Sequence, residues 1–262
     1  TRMQSLSRQY AIDKFLAKAI ADGIIKPSSA PAWSQLFLTP KKNGDFRICL
    51  DYRNLNKVTK KIAWPIPRID QMLNRIGSHR PNYFGVFDLT SGYYQCPIVA
   101  ESQKYTTFST SGGNYMWTRL PMGPSNAPAH FQREMTTTVF PNEMYKILEI
   151  YLDDLLTWAS TEDELISRLE IIFNKLLEFN ITLNPAKCRL GMSRVEYVGH
   201  TIDKDGVHFS SEKLSKVLDF PRPTNHDEMR SFIGLCTYFS THVDKFTELT
   251  RPLRLAITPF KK

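Results

Sequence analysis

An α+β fold, with helices backing an antiparallel sheet, follows from three observations along this 262-residue chain. Apolar runs of strand length meet carboxylates at Tyr83-Phe84-Gly85-Val86-Phe87-Asp88 and on either side of Tyr151-Leu152-Asp153-Asp154. Aromatic and β-branched residues dominate the first run, as in buried strands. Amphipathic segments with capping signals open at Thr161 and Asn225 and read as helices. No repeat, low-complexity tract or Gly/Ser linker separates these segments, so any subdomains are packed together rather than strung out.

Taken in order, Leu6, Tyr10, Phe15, Leu16, Ala19 and Ile20 share one face of a first helix that stops near Gly23, ahead of Pro27. Asn43-Gly44 between apolar stretches predicts a two-residue hairpin turn. Phe46, Ile48 and Leu50 then fall on one face of the second strand, and Arg47, Cys49 and Asp51 on the other. Ile69, Met72, Leu73 and Ile76 make a short helix ended by Gly77. Ile147-Leu148-Glu149-Ile150 and Leu155-Leu156-Thr157-Trp158 flank the paired acids as strand, tight turn, strand. Thr161-Glu162-Asp163-Glu164 is a capping box for a helix with Leu165, Leu169, Ile172, Phe173 and Leu176 inward. Because it directly follows the acidic hairpin, this helix should pack beneath it. Asp205-Gly206 marks another hairpin turn, and Asn225-x-x-Glu228 caps a helix with Met229, Phe232, Ile233, Cys236 and Phe239 inward.

Composition narrows the function. A hydrophobic content of 42% supports a sizeable core. No run of about 18 apolar residues and no charged-then-apolar opening is present, so neither a membrane span nor secretion is indicated, and an intracellular, cytoplasmic setting is expected. Cys49, Cys96, Cys188 and Cys236 lie far apart, without a zinc-type cluster or disulfide framework, and are expected to be reduced. His200 and His208, on a predicted hairpin, read as strand residues rather than ligands. The net charge of +8 is unevenly spread, with balances of +10 over residues 1–80, −6 over 81–186 and +4 over 187–262. An acidic middle with basic flanks suits a metal-centred site gripped by phosphate-binding surfaces, and hence a polyanionic partner held in a salt-dependent way.

Asp153 and Asp154 at a hairpin tip repel, and a divalent cation such as Mg²⁺ would relieve the repulsion. Alone, the pair reads more readily as a solvated turn than as a metal site. Asp88, 65 residues before Asp153, ends another buried-strand run, and pairing the two strands would unite three acids.

The wording around these acids is more specific. Phe87-Asp88-Leu89-Thr90-Ser91-Gly92-Tyr93-Tyr94-Gln95, then Leu120-Pro121-Met122-Gly123-Pro124-Ser125-Asn126-Ala127-Pro128 with Phe131-Gln132, then Tyr151-Leu152-Asp153-Asp154 closely resemble, in order and spacing, the palm motifs of a reverse transcriptase. The segment from Pro40 to Asn56 resembles the fingers hairpin of that family, and Val195-Glu196-Tyr197-Val198-Gly199-His200 its primer grip. Phe232-Ile233-Gly234-Leu235 through Tyr238-Phe239 and Phe246 resembles the thumb of gypsy-type (Metaviridae) LTR retrotransposons. The match runs from roughly Phe15 to Leu253.

The resemblance implies a right-hand polymerase, with fingers at 1–63 and 96–126, palm at 64–95 and 127–206, and thumb at 207–262. It implies an RNA- and DNA-templated DNA polymerase using two Mg²⁺ ions, with Mn²⁺ able to substitute. Asp88 and Asp153 would bridge both metals, Asp154 would assist, and the backbone carbonyl of Leu89 would complete one shell. Lys42 and Arg47 match the triphosphate-binding pair, with Lys41 an alternative for the lysine role. Tyr93 falls where the family sets a ring beneath the sugar to exclude a 2′-hydroxyl, pointing to dNTPs, and Tyr94 is then expected to be the buried one. Met122 stands where relatives carry Gln or Phe against the nucleotide. Lys187 aligns with a lysine that protonates pyrophosphate, and Val198, Gly199 and His200 would hold the primer end.

Implied partners are an RNA template, a DNA primer or template, dNTPs, and the RNase H, integrase and protease segments of a parent Pol polyprotein in a virus-like particle. The ends at Thr1 and Lys262 suggest a processed product or fragment. Rival readings are a domesticated, catalytically silent nucleic-acid-binding descendant, which would not need three uncompensated acids, an RNA-making polymerase, which Tyr93 disfavours, and a pararetroviral polymerase, which would share the catalytic motifs.

Overall fold

A strand is buried on both faces when its apolar run is unbroken, and that is how the central sheet is built. The computed structural model describes residues 5–40, 44–209, 211–240 and 243–257, without the side chains of 211–213. It falls into two units, Thr1–Val198 with Asp203–Gly206, and Gly199–Ile202 with Val207–Lys262.

In the first unit, β4 (Tyr83–Asp88), β7 (Leu148–Tyr151), β8 (Asp154–Ala159) and β9 (Arg189–Met192) form a four-stranded antiparallel sheet in the order β7-β8-β4-β9. Gly85 allows close packing here, since a Cβ on it would meet the Thr157 Cγ2 at 2.9 Å. One face packs on α6 (Ala127–Glu134) and α7 (Glu162–Glu178): Phe87, Leu148, Ile150 and Leu155 share a core with Phe131, Ile172 and Leu176. The Thr161 side chain accepts from the Glu164 N–H and caps α7, the local signal the capping box carries.

The other face is covered as well, which the expectation of one-sided backing did not include. There α3 (Ile69–Ser78) brings Arg75 to Glu149 and stacks His79 near Trp158. Glu149 lies between Leu148 and Ile150 in β7 and is 0% exposed. Its Arg75 partner donates two bonds, at 2.6 and 3.0 Å, and stacks over the Tyr145 ring.

A five-stranded mixed sheet has the order β1-β6-β5-β2-β3, from β1 (Ile25–Pro27), β2 (Ser34–Pro40), β3 (Phe46–Asp51), β5 (Phe108–Thr110) and β6 (Gly113–Trp117). It packs on α1 (Leu6–Ala21) through Ile12, Leu16, Ala19, Ile25, Leu36, Phe108 and Trp117. The expected face of α1 is therefore corrected. Leu6 is 91% exposed and Tyr10 and Ile20 also face solvent, while Ile12 takes their place, because 3.6-residue periodicity aligns Ile12 with Phe15, Leu16 and Ala19. Among the described residues the β2–β3 ladder runs to Pro40↔Phe46, and the two-residue turn expected at Asn43-Gly44 involves Asn43, which lies outside them. The unit also holds α2 (Arg53–Val58), α4 (Gly92–Gln95), α5 (Ala100–Gln103) and β10 (Arg194–Tyr197).

In the second unit, β11 (His200–Asp203) and β12 (Gly206–Phe209) are neighbours in a sheet, followed by α8 (Ser211–Leu218), α9 (His226–Thr237) and α10 (Phe246–Ala256). The Asn225 side chain accepts from the Glu228 N–H at the start of α9, as its spacing predicts. Ile233 and Phe239 are buried, and Phe209 meets Phe239 edge-on at 4.4 Å.

Candidate active site

The β4–β8 ladder ends with Asp88 opposite Asp154, so their Cβ atoms stand roughly 4.5–5.5 Å apart on one face of the sheet. Asp153 is the next residue back, in the two-residue turn between Tyr151 and Asp154. The structure thus brings all three acids to one end of the sheet, Asp88 half-buried and the other two exposed. Crowding by protein, then the charges of Asp153 and Asp88, hold the Asp154 carboxyl above the usual carboxylate range, and Lys187 pulls it back.

Lys187 reaches this cluster from the turn after Pro185. Its Nζ lies 3.2 and 3.3 Å from the two Asp88 carboxylate oxygens. Behind Asp88, its N–H points to the Cys188 sulfur at 3.5 Å, and its carbonyl accepts from the Asn184 N–H. Leu89, buried, forms an isolated bridge with Leu183.

The donors fit a divalent cation. Carboxylates at strand ends are hard oxygen ligands, and Asp88, Asp153 and Asp154 gather at one end of the sheet. Among the described residues, no three carboxylate, imidazole or thiol groups are already closed into an ion-binding cluster.

Tyr93 is 9% exposed and stacks on Phe131 at 5.0 Å, whereas Tyr94 is only half-buried, stacked on Trp117. This reverses the expected burial of the pair, because α4 turns the Tyr93 ring onto α6. Burial and then the charge of Asp153 push the Tyr93 hydroxyl up to about 12.

Arg47 is exposed on β3 opposite Thr39, while Lys42 and Lys41 lie outside the described residues. Met122 is 60% exposed rather than a core filler. Gly123 follows at φ 112°, where a Cβ would meet the Tyr52 ring at 3.1 Å, so that turn requires glycine. Asn56 donates to the Gly123 carbonyl and accepts from the Ser125 N–H, and Asn126 spans to Lys60 and Ile62. Val198 and Gly199 both have positive φ in the turn between β10 and β11. The His200 ring is buried, hydrogen-bonded to the Tyr238 hydroxyl at 2.9 Å.

Sequence reasoning gave no role to Glu149 or Arg75, and quoted Gln132 only within a motif, without a role of its own. A charged residue inside an apolar strand run was the available signal for Glu149, and nothing local marks its partner.

With this geometry in hand, an α+β polymerase of the right-hand class is defined. A family model described as reverse transcriptase (RNA-dependent DNA polymerase) matches residues 39–202, and the chain belongs to that family. It is 35% identical over 243 residues to the retrovirus-related Pol polyprotein from transposon 412 of Drosophila melanogaster, covering 89% of this chain and 19% of that protein. It is 30% identical to the Pol polyprotein from transposon gypsy of the same organism, covering 92% of this chain and 24% of that one. The chain therefore spans about a quarter or less of the curated relatives it matches. Among solved structures it is similar to the foamy viral protease-reverse transcriptase dRH in complex with double-stranded DNA, with TM-score 0.88 and 26% identity, covering 99% of this chain and 46% of that one. The same viral protein in complex with an RNA/DNA hybrid matches with TM-score 0.84 and 26% identity, covering all of this chain and 35% of that one. No helix among the described residues is long and apolar enough to cross a membrane.

Proposed function

We propose that this chain is the polymerising portion of a retroelement reverse transcriptase, adding dNTPs to a primer 3′-hydroxyl on RNA and DNA templates. The observation that carries the reading is the Asp88↔Asp154 pair with Asp153 beside it in the turn. Asp88, Asp153, Asp154 and the Leu89 carbonyl would hold two Mg²⁺ ions. When bound, such ions lower the pKa of the attacking hydroxyl and stabilise the leaving pyrophosphate.

The chain's own groups do the rest. Arg47, with Lys42, binds the triphosphate, since a guanidinium fork matches phosphate oxygens. Tyr93, wedged against Phe131, excludes a 2′-hydroxyl, and exposed Met122 is available to the nucleotide. Lys187 balances Asp88 through its ammonium, and the same Nζ can pass a proton to pyrophosphate. Val198, Gly199 and His200 support the primer end through a tight backbone turn. Fingers at 1–63 and 96–126, palm at 64–95 and 127–206, and thumb at 207–262 are the corresponding divisions. The reading places the chain inside a cell, in a virus-like particle beside RNase H, integrase and protease segments, a context that the polyprotein names of its relatives support.

The deciding experiment is extension of a DNA primer on an RNA template at low salt, comparing dNTPs with rNTPs. Mg²⁺-dependent extension with dNTPs alone is expected, and Tyr93→Val should admit rNTPs. No extension by the wild type would end the proposal.

A further inference from the structure

β7 is the edge strand of its sheet, so one row of its backbone groups faces away from β8 and needs partners elsewhere. At the last of these positions the partner is a side chain. Gln132, on α6 and 0% exposed, donates from Nε2 to the Ile150 carbonyl at 2.9 Å and accepts at Oε1 from the Leu152 N–H at 2.8 Å. One carboxamide thereby copies a peptide group of a neighbouring strand. The residue it holds is Leu152, left-handed at φ 57° and immediately before Asp153. A non-glycine residue keeps that conformation only where its surroundings enforce it. The preceding residue on α6, Phe131, is the one that stacks on Tyr93.

We propose that Gln132 is a positioning residue, a surrogate strand that holds the Asp153-Asp154 turn in working geometry and lets α6 set the acids and Tyr93 together. The bond to the Ile150 carbonyl is buried and the one from the Leu152 N–H half-buried, so the backbone groups freed by its loss would be poorly placed to turn to water. Its consequence for turnover rests on the polymerase reading, while the clamp itself is a property of the free chain.

The test uses Gln132→Met, which keeps the side chain's bulk and removes both bonds, with Leu16→Ala in the distant α1 core as a control for lost stability. Hydrogen exchange of the Leu152 amide, in protein without metal or nucleic acid, should accelerate about tenfold or more in Gln132→Met beyond any change in the control. In primer extension, kcat should fall about tenfold or more with primer–template affinity unchanged. Should Gln132→Met fail to fold, Gln132→Glu serves, since its carboxylate still accepts from Leu152 but no longer donates to Ile150; a partial loss of kcat is expected. Leu152 exchange no faster than in the control, or wild-type kcat in a folded variant at Gln132, would overturn the proposal. An inactive wild type would instead count against the polymerase reading and leave the exchange result to decide the clamp.

Discussion

The two hairpins of the first unit differ in charge and in how they are held. The β7–β8 hairpin carries two acids on a two-residue turn, and its strands are almost wholly buried. Its backbone is clamped by Gln132, and Glu149 in its first strand is gripped by Arg75. The β2–β3 hairpin carries Arg47 in the open, on strands that are mostly half-exposed. Rigid burial would suit the proposed role of the acids in holding metal ions. An exposed arm would suit the proposed role of Arg47 in meeting a mobile, highly charged triphosphate, where reach matters more than fixed geometry. The contrast teaches that the acidic hairpin is fixed by burial and side-chain clamps, whereas the arm carrying Arg47 rests on its ladder and on one packed face.

If that contrast holds, damage to the acidic hairpin should cost most. Asp153→Ala should lower Mg²⁺-dependent primer extension by about 10³-fold or more, and retained activity would dissolve the distinction between the hairpins. Arg75→Met strands a buried carboxylate, and loss of one partner of a buried pair costs about 3 kcal/mol. Denaturant unfolding should show that loss, and an unchanged midpoint would mean Glu149 finds another partner. Arg47→Ala should leave unfolding unaffected and raise the KM for dNTPs about tenfold, as expected for one lost charge-assisted bond. A fall in kcat with KM unchanged would instead place Arg47 in the chemical step.

The smallest effect concerns the acids themselves. Asp154 has a raised carboxyl pKa, so the folded chain holds this proton to higher pH than the unfolded chain does. Such a group takes stability away as pH rises from the ordinary aspartate value through the folded one. In the presence of a chelator, Asp154→Asn should therefore melt higher than wild type at neutral pH. The gap should close as pH falls below the ordinary aspartate range, and a gap independent of pH would point to packing rather than charge.

Legibility followed range. The Thr161 and Asn225 caps, the strand runs around Asp88 and Asp153, and the helix from Ile69 are set by neighbours within about four residues, and their signals are plain in the chain. The α1 face was misread because scattered apolar residues such as Leu6 and Tyr10 need not be buried. The Tyr93 and Tyr94 burial was misread because adjacent aromatic residues look alike until a helix is seen to pack on one of them.

By itself the sequence determined the local elements and the family, since caps, turns and motif spacing act along the chain. Only tertiary structure decided that Asp88 stands opposite Asp154, that Lys187 balances it from 99 residues away, and that Arg75 and Gln132 secure the hairpin from 74 and about 20 residues distant. Those contacts follow from strand register and helix packing, which depend on burying apolar surface throughout the unit rather than on any short stretch of residues.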